Sequence, residues 1–258
     1  ELQTMNEPRP AFFSAIPHPA DLGTEPVPAF YYTDPDWYEL ERQAIFMRTW
    51  IEIGHVCELA EPNSFIVRTL DFARASILIT RAKDGAVRAF HNACTHRGTQ
   101  LTQEAEGKRA LFTCPYHGWT FDHEGDLRAA PDFERFYIDS KKDCALRPVA
   151  VDVCAGMIFV NLDPAPPQGL REYLGEDIAA KLESLPVATA TTFSEYVYDI
   201  DANWKITYDN FQEQYHIRFI HPRSGGPACG EDNPFGYPTE FCFYGPHRTE
   251  RIWQHPAP

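Results

Sequence analysis

Cys94-Thr95-His96-Arg97-Gly98 and Cys114-Pro115-Tyr116-His117-Gly118-Trp119 set out Cys-x-His, a spacer of residues 97–113, then Cys-x-x-His. Each stretch follows a run that reads as a strand and enters a turn rich in glycine or proline. Thiolates bind iron tightly and suit clusters built with sulfide. Replacing two thiolates by two neutral imidazoles raises the potential of a [2Fe–2S] cluster, because neutral ligands favour the reduced state. A Cys2His2 zinc site is the competing reading. Structural zinc hooks usually separate paired ligands by two to four residues. The single residue between Cys94 and His96 better suits a cysteine and a histidine that bind different irons. Chance among seven cysteines and ten histidines is remote for two such hooks on adjacent hairpin tips.

Outward from the hooks, short β-rich runs succeed one another: Ser64–Leu70, Ser76–Arg81, Val87–His91, Leu111–Thr113 and Trp119–Asp122. Turn signals at Lys83-Asp84-Gly85 and His123-Glu124-Gly125-Asp126 separate them. Val149–Val153 and Met157–Asn161 read as a closing hairpin. The pattern predicts a small antiparallel sandwich or barrel. Upstream, residues 1–36 are rich in proline (Pro8, Pro10, Pro17, Pro19, Pro26, Pro28, Pro35) and read as an extended arm. Asp34-Pro35-Asp36 opens a helix whose stripe of Tyr38, Ile45, Phe46 and Trp50 is loose. Downstream, Pro164-Ala165-Pro166-Pro167-Gln168-Gly169 reads as a linker. Leu170–Leu185 reads as a helix, Thr191–Ile200 as a strand, and Asn203–His221 as a second helix ended by Pro222. Glu240–Tyr244 reads as a strand. The expected architecture is α+β. It has an arm at 1–36, an antiparallel β domain with its preceding helix at 37–162, and a helix-plus-antiparallel-sheet domain that begins at 170 and is incomplete at 258.

That later domain holds a second constellation. Asp209-Asn210-Phe211-Gln212-Glu213-Gln214-Tyr215-His216 runs on to His221. Glu213 and His216, three apart, share a helix face. His216 and His221, five apart, lie about 140° around an ideal helix. They reach one metal only where the helix bends or ends, and Pro222 supplies an end. Two imidazoles and a carboxylate form the facial triad that leaves positions open for O2 on ferrous iron. Alone, His-x4-His is a weak motif. A di-iron bundle needs a second Glu-x-x-His, and the His-Glu-x-x-His of zinc proteases is absent.

Composition excludes several classes. A net charge of -14 opposes a nucleic-acid partner. No apolar run approaches bilayer length, and Glu1–Pro10 has no basic segment ahead of an apolar stretch. The seven cysteines, Cys57, Cys94, Cys114, Cys144, Cys154, Cys229 and Cys242, are odd in number in a chain too large to need stapling. The expectation is reduced thiols in a cytoplasmic chain, with no membrane partner. Cys57, Cys144, Cys154 and Cys242 read as small packing residues, and His247 and His255 as incidental. Glu1 in place of Met points to a start inside a longer chain.

The two hooks resemble the Rieske domain of ring-hydroxylating oxygenase large (alpha) subunits. Asn203-Trp204-Lys205 with Asp209-Asn210-x-x-Glu213-x-Tyr215-His216-x4-His221 resembles the catalytic domain of the same family. The resemblance implies that Cys94 and Cys114 hold one iron of a [2Fe–2S] cluster, and that His96 and His117 hold the other. It implies a mononuclear Fe(II) at His216 and His221, with Asn210 near the iron and Asp209 supporting the site from behind. Glu213 would join His216 to His117 of a neighbouring subunit in a trimer, with or without a β subunit. Electrons would come from NAD(P)H by way of a reductase or ferredoxin, entering near His96 and His117, and O2 would oxidise a small organic substrate. An aromatic ring is the first-choice substrate. Glu213 stands where many aromatic-ring dioxygenases carry Asp, which resembles monooxygenases of quaternary ammonium or N-alkyl compounds. The family's third iron ligand, usually an Asp in a C-terminal helix, has no counterpart in this sequence. Asp232, Glu240 and Glu250 lie in the wrong context. An electron carrier without an oxygenase site and a zinc-stabilised binding module are the readings from other classes.

Overall fold

The computed structural model describes residues 25–225 and 236–252. The arm prolines Pro8 to Pro19, Cys229, Asp232 and His255 lie outside the described residues. The helices are α1 (Phe30–Thr33), α2 (Pro35–Glu41), α3 (Leu170–Leu174), α4 (Glu176–Glu183), α5 (Trp204–Asn210) and α6 (Ile217–Ile220). The strands are β1 (Ile51–His55), β2 (Ser64–Leu70), β3 (Ala75–Arg81), β4 (Val87–His91), β5 (Glu106–Lys108), β6 (Phe112–Thr113), β7 (Thr120–Phe121), β8 (Leu127–Ala129), β9 (Pro148–Cys154), β10 (Met157–Asn161), β11 (Pro238–Tyr244) and β12 (His247–Ile252). Two compact units result, Tyr38–Val197 and Glu1–Trp37 with Tyr198–Pro258. Among the described residues no helix is long and apolar enough to cross a membrane.

The first unit is the antiparallel β domain. Its seven-stranded sheet runs β1-β10-β9-β4-β3-β2-β5, and a three-stranded sheet runs β6-β7-β8. Successive strand residues point to opposite faces, so β2 and β3 feed two cores. Phe65 and Leu78 join Phe90, Leu101, Phe112, Trp119 and Phe121 beneath the hooks. Ile66, Ile77 and Ile79 join Ile53, Val149, Ile158 and Val160, around which the larger sheet curls. Burial of each such side chain contributes about 1.5–3 kcal/mol. Sheets covered on both faces read as continuous apolar runs, as Ile77-Leu78-Ile79 does.

The β9–β10 hairpin closes through Ala155 and Gly156, at φ 53 and 77. Positive φ at both positions is the mirror-image turn that matches strand twist. A Cβ on Gly156 would meet His55 Nε2 at 2.2 Å. His55 is fixed there: its Nδ1 accepts from Cys57 N–H at 3.2 Å, so Nε2 carries the proton towards Val187 O at 3.0 Å. Gly156→Ala is therefore expected to cost about 2–4 kcal/mol, from the left-handed backbone and the overpacking together. A urea midpoint unchanged from wild type would refute this.

Several sequence expectations are corrected. The helix opened by Pro35 ends as α2, then widens into one π-helical turn, Arg42–Phe46. Trp50 lies outside it, and its indole N–H donates to Gln168 O at 3.1 Å. β1, β5, β8 and β12 are strands the sequence reading lacks. The single helix expected over Leu170–Leu185 is broken at Gly175, where φ is 74, into α3 and α4. Leu170, Leu174, Ile178 and Ala179 are buried, and both helices belong to the first unit. Thr191–Ile200 is no strand. Its aromatic and β-branched residues suit a pleated sheet, yet propensity makes a strand only beside a partner. Asn203–His221 is two short helices, not one.

In the second unit, α5 starts at Asn203, whose side chain caps Lys205 N–H at 3.0 Å. The described end of the expected arm is helical as α1 and packs here: Tyr32 donates to Asp209 Oδ2 at 2.8 Å, and Lys205 Nζ lies 5.4 Å from the Tyr32 ring centre. β11 and β12 form a hairpin whose two-residue loop is Gly245-Pro246.

Candidate metal centres

The first hook follows β4, and the second spans the β6–β7 turn. Their backbones close alike. Cys94 N–H donates to Thr99 O at 2.8 Å and Gly98 N–H to Cys94 O at 2.7 Å. Cys114 N–H donates to Trp119 O at 2.8 Å and Gly118 N–H to Cys114 O at 3.0 Å. Gly98 and Gly118 have φ 75 and 71, a conformation that costs any other residue about 1–2 kcal/mol. Two equivalent loops thus present four donors. The Thr95 hydroxyl ties the first loop to Cys144 O at 2.6 Å.

The donors come in pairs. The Cys94 and Cys114 thiols are buried neighbours, and the His96 and His117 rings lie 4.5 Å apart on the half-buried side. Among the described residues no three His, Cys, Asp or Glu side chains gather about one point. His96 stacks on Trp119 at 4.9 Å and 11°, and Tyr116 covers His117 at 3.8 Å. Trp119 is 2% exposed and Tyr116 60%. Tyr116 therefore lies at the rim and Trp119 beneath the rings.

Electrostatics fit a metal cluster. Burial pushes the Cys94 thiol up, against backbone N–H groups of His96 and Arg97 that pull it down, and the Cys114 thiol adds to the rise. Burial, then His117 and Arg97, pushes His96 down. These directions favour the neutral forms of Cys94 and His96, and a thiol that ligates a metal would give up its proton. His96 Nδ1 is buried with no hydrogen-bond partner. A buried nitrogen left unpaired is costly, and iron ligation would satisfy it.

The second site forms where α5 gives out. Residues 211–216 turn, α6 follows, and His216 and His221 flank α6 as its caps. Their rings are 5.4 Å apart. Glu213 accepts from His216 N–H at 3.2 Å and also contacts His216 Nδ1. Burial pushes the Glu213 carboxyl up, but the two His216 bonds outweigh it and hold the group below its usual range. With Nδ1–H on Glu213, Nε2 of His216 is left for a metal. Asn210 is the last residue of α5 and exposed, while Asp209 is engaged by Tyr32. Tyr32 was missed because no local pattern links it to a helix so distant in sequence.

Cys144 and Cys154 are buried with Cys94 and Cys114, and Cys57 and Cys242 are half-buried.

The Rieske [2Fe-2S] domain family matches residues 49–149, and the ring-hydroxylating alpha subunit catalytic domain matches residues 187–258. The chain is 34% identical to the carnitine monooxygenase oxygenase subunit of Acinetobacter baumannii, over 76% of this chain and 52% of that protein. A crystal structure of a quaternary ammonium Rieske monooxygenase in complex with an inhibitor superposes with a TM-score of 0.70 at 33% identity, covering 78% of this chain and 56% of that one. Naphthalene 1,2-dioxygenase from Rhodococcus sp. bound to indole superposes with a TM-score of 0.67 at 31% identity, covering 81% and 48%. The chain spans about half the length of the curated relatives it matches. The two family matches imply a Rieske cluster and a mononuclear iron. Ligand hooks, β architecture and both family matches agree, and the chain belongs to the Rieske oxygenase alpha subunits.

Proposed function

We propose that this chain is the oxygenase component of a multicomponent Rieske system that hydroxylates a small organic molecule. The observation that carries this reading is the coexistence of two paired-donor sites, Cys94/Cys114 with His96/His117, and His216/His221 with Glu213. When bound, the cluster supplies single electrons and the mononuclear iron supplies the centre at which O2 is activated. Cys94 and Cys114, the buried pair, would hold one iron of the cluster. His96 and His117, the half-buried pair, would hold the other, and a ferredoxin or reductase can approach beside exposed Tyr116. Trp119 fixes the His96 ring and keeps water from the cluster floor. Glu213 accepts the Nδ1 proton of His216, which fixes the tautomer and aims Nε2 at the iron. Assembly as a trimer would set Glu213 against His117 of the next copy.

Monooxygenation of a quaternary ammonium or N-alkyl compound is the reading that Glu213 favours over an aromatic ring. The 34% identity to a carnitine monooxygenase subunit supports it.

The test is iron and acid-labile sulfide per chain on anaerobically purified protein, with EPR of the reduced form. Three irons, two sulfides and a Rieske signal are expected. His221→Ala should lose the third iron and leave both sulfides and the signal intact. Two irons in the wild type would favour an electron carrier, and zinc without sulfide would overturn the reading. With reductase present, carnitine and naphthalene supplied side by side separate the substrate classes: O2 consumption with carnitine alone is expected.

A further inference from the structure

Glu213 is flanked by two glutamines that are both tied to the β11–β12 hairpin. Arg248 Nε donates to Gln212 Oε1, and Gln214 Nε2 donates to Glu250 Oε1. Arg248 and Glu250 are alternate residues of β12 and so lie on one face of it. Their cross-strand partners, Phe243 and Phe241, share that face. The Arg248 guanidinium also lies 5.8 Å from the Tyr208 ring centre and 5.5 Å from that of Phe241. With Gln212 and Gln214 drawn to the hairpin, the residue between them is free to face His216, and both of its carboxylate oxygens do so. The Gln214–Glu250 contact is sealed. Gln214 is 7% exposed, and its Oε1 and the Oε2 of Glu250 are buried without partners. A bond in such surroundings is stronger than in water, and a group left unpaired there is costly.

We propose that Arg248 and Glu250 are positioning residues, which hold the 212–214 turn so that Glu213 is set against His216. This rests on the reading of His216 as an iron ligand. Glu250→Ala strands the Gln214 amide and releases the turn. Glu250→Gln keeps an acceptor for Gln214 Nε2 and adds an N–H for the unpartnered Gln214 Oε1. The two amides then satisfy each other, and the turn is held at least as firmly.

The experiment uses the full chain as wild type, Glu250→Ala and Glu250→Gln, each titrated anaerobically with ferrous iron and assayed for sulfide. A second readout is the Nδ1 proton resonance of His216 in 15N-histidine-labelled protein before iron is added. Glu250→Ala is expected to weaken binding of the third iron by about tenfold or more, the scale for groups that orient a metal ligand. It should also lose the Nδ1 resonance, with the Rieske EPR signal and sulfide unchanged. Glu250→Gln is expected to restore both. Retention of the third iron and the resonance in Glu250→Ala overturns the proposal, as does failure of Glu250→Gln to rescue. If the wild type binds no third iron, the resonance alone decides. Its loss in Glu250→Ala and return in Glu250→Gln sustain the positioning role while the iron reading falls. Its absence from the wild type ends the proposal, because Glu213 is then not set against His216.

Discussion

Cys114→Ser is expected to give a chain with no acid-labile sulfide and no Rieske EPR signal, while the β fold survives. Iron in a sulfide cluster requires thiolate ligands, and a serine hydroxyl at position 114 does not ionise at neutral pH. No other donor can replace it, because Cys114 is 2% exposed and its loop is closed by the Trp119 and Gly118 bonds. Cys144 is also buried, but its carbonyl is committed to Thr95 and it belongs to neither hook. With the cluster gone, electron delivery ends and turnover falls to background. The fold should lose only about 1–3 kcal/mol, the cost of a hydroxyl in the core shared by Phe112, Trp119 and Phe121. Sulfide analysis, EPR and thermal melting read the three consequences separately. Residual sulfide at the wild-type level would show that Cys114 is not a ligand.

The two centres differed in how far the sequence revealed them, and the difference is physical. Each hook is local: Cys94 to Thr99 and Cys114 to Trp119 close within one turn, so residue spacing alone nearly fixes the donor geometry. The strands β2, β3, β4 and β10 were equally legible, since apolar runs bounded by Gly turns have few alternatives. The helix at 203–221 was not. Glu213 bonds His216 N–H, a side-chain competitor for the backbone bonds that would carry the helix through. Long-range partners leave no local trace either. Tyr32 on Asp209 and Arg248 on Gln212 join positions remote in sequence, and β12 is recognisable only with β11 beside it. The run at 191–200 failed for the converse reason, strong strand propensity without a pairing neighbour.

Glu213→Gln is expected to leave cluster content near wild type, to weaken second-site iron by about tenfold or more, and, in iron-loaded protein, to slow re-oxidation of the reduced cluster about 10–100-fold. That is the range for residues that orient and charge a metal ligand from outside. The carboxylate accepts two N–H groups of His216, one from the ring and one from the backbone. A glutamine has a single acceptor oxygen, so its amide nitrogen would face one of those N–H groups, donor against donor. The imidazole then loses both its charge-assisted bond and its fixed orientation. Glu213 is 44% exposed at the side chain, so the substitution needs no repacking, and stability should change by less than about 0.5 kcal/mol. Glu213→Asp preserves the charge and both acceptor oxygens on a shorter stem, and should recover most of the rate. Stopped-flow re-oxidation of dithionite-reduced protein, with substrate and O2, measures this directly. Equal rates for wild type and Glu213→Gln would remove Glu213 from the electron route and leave it as a structural clasp on His216.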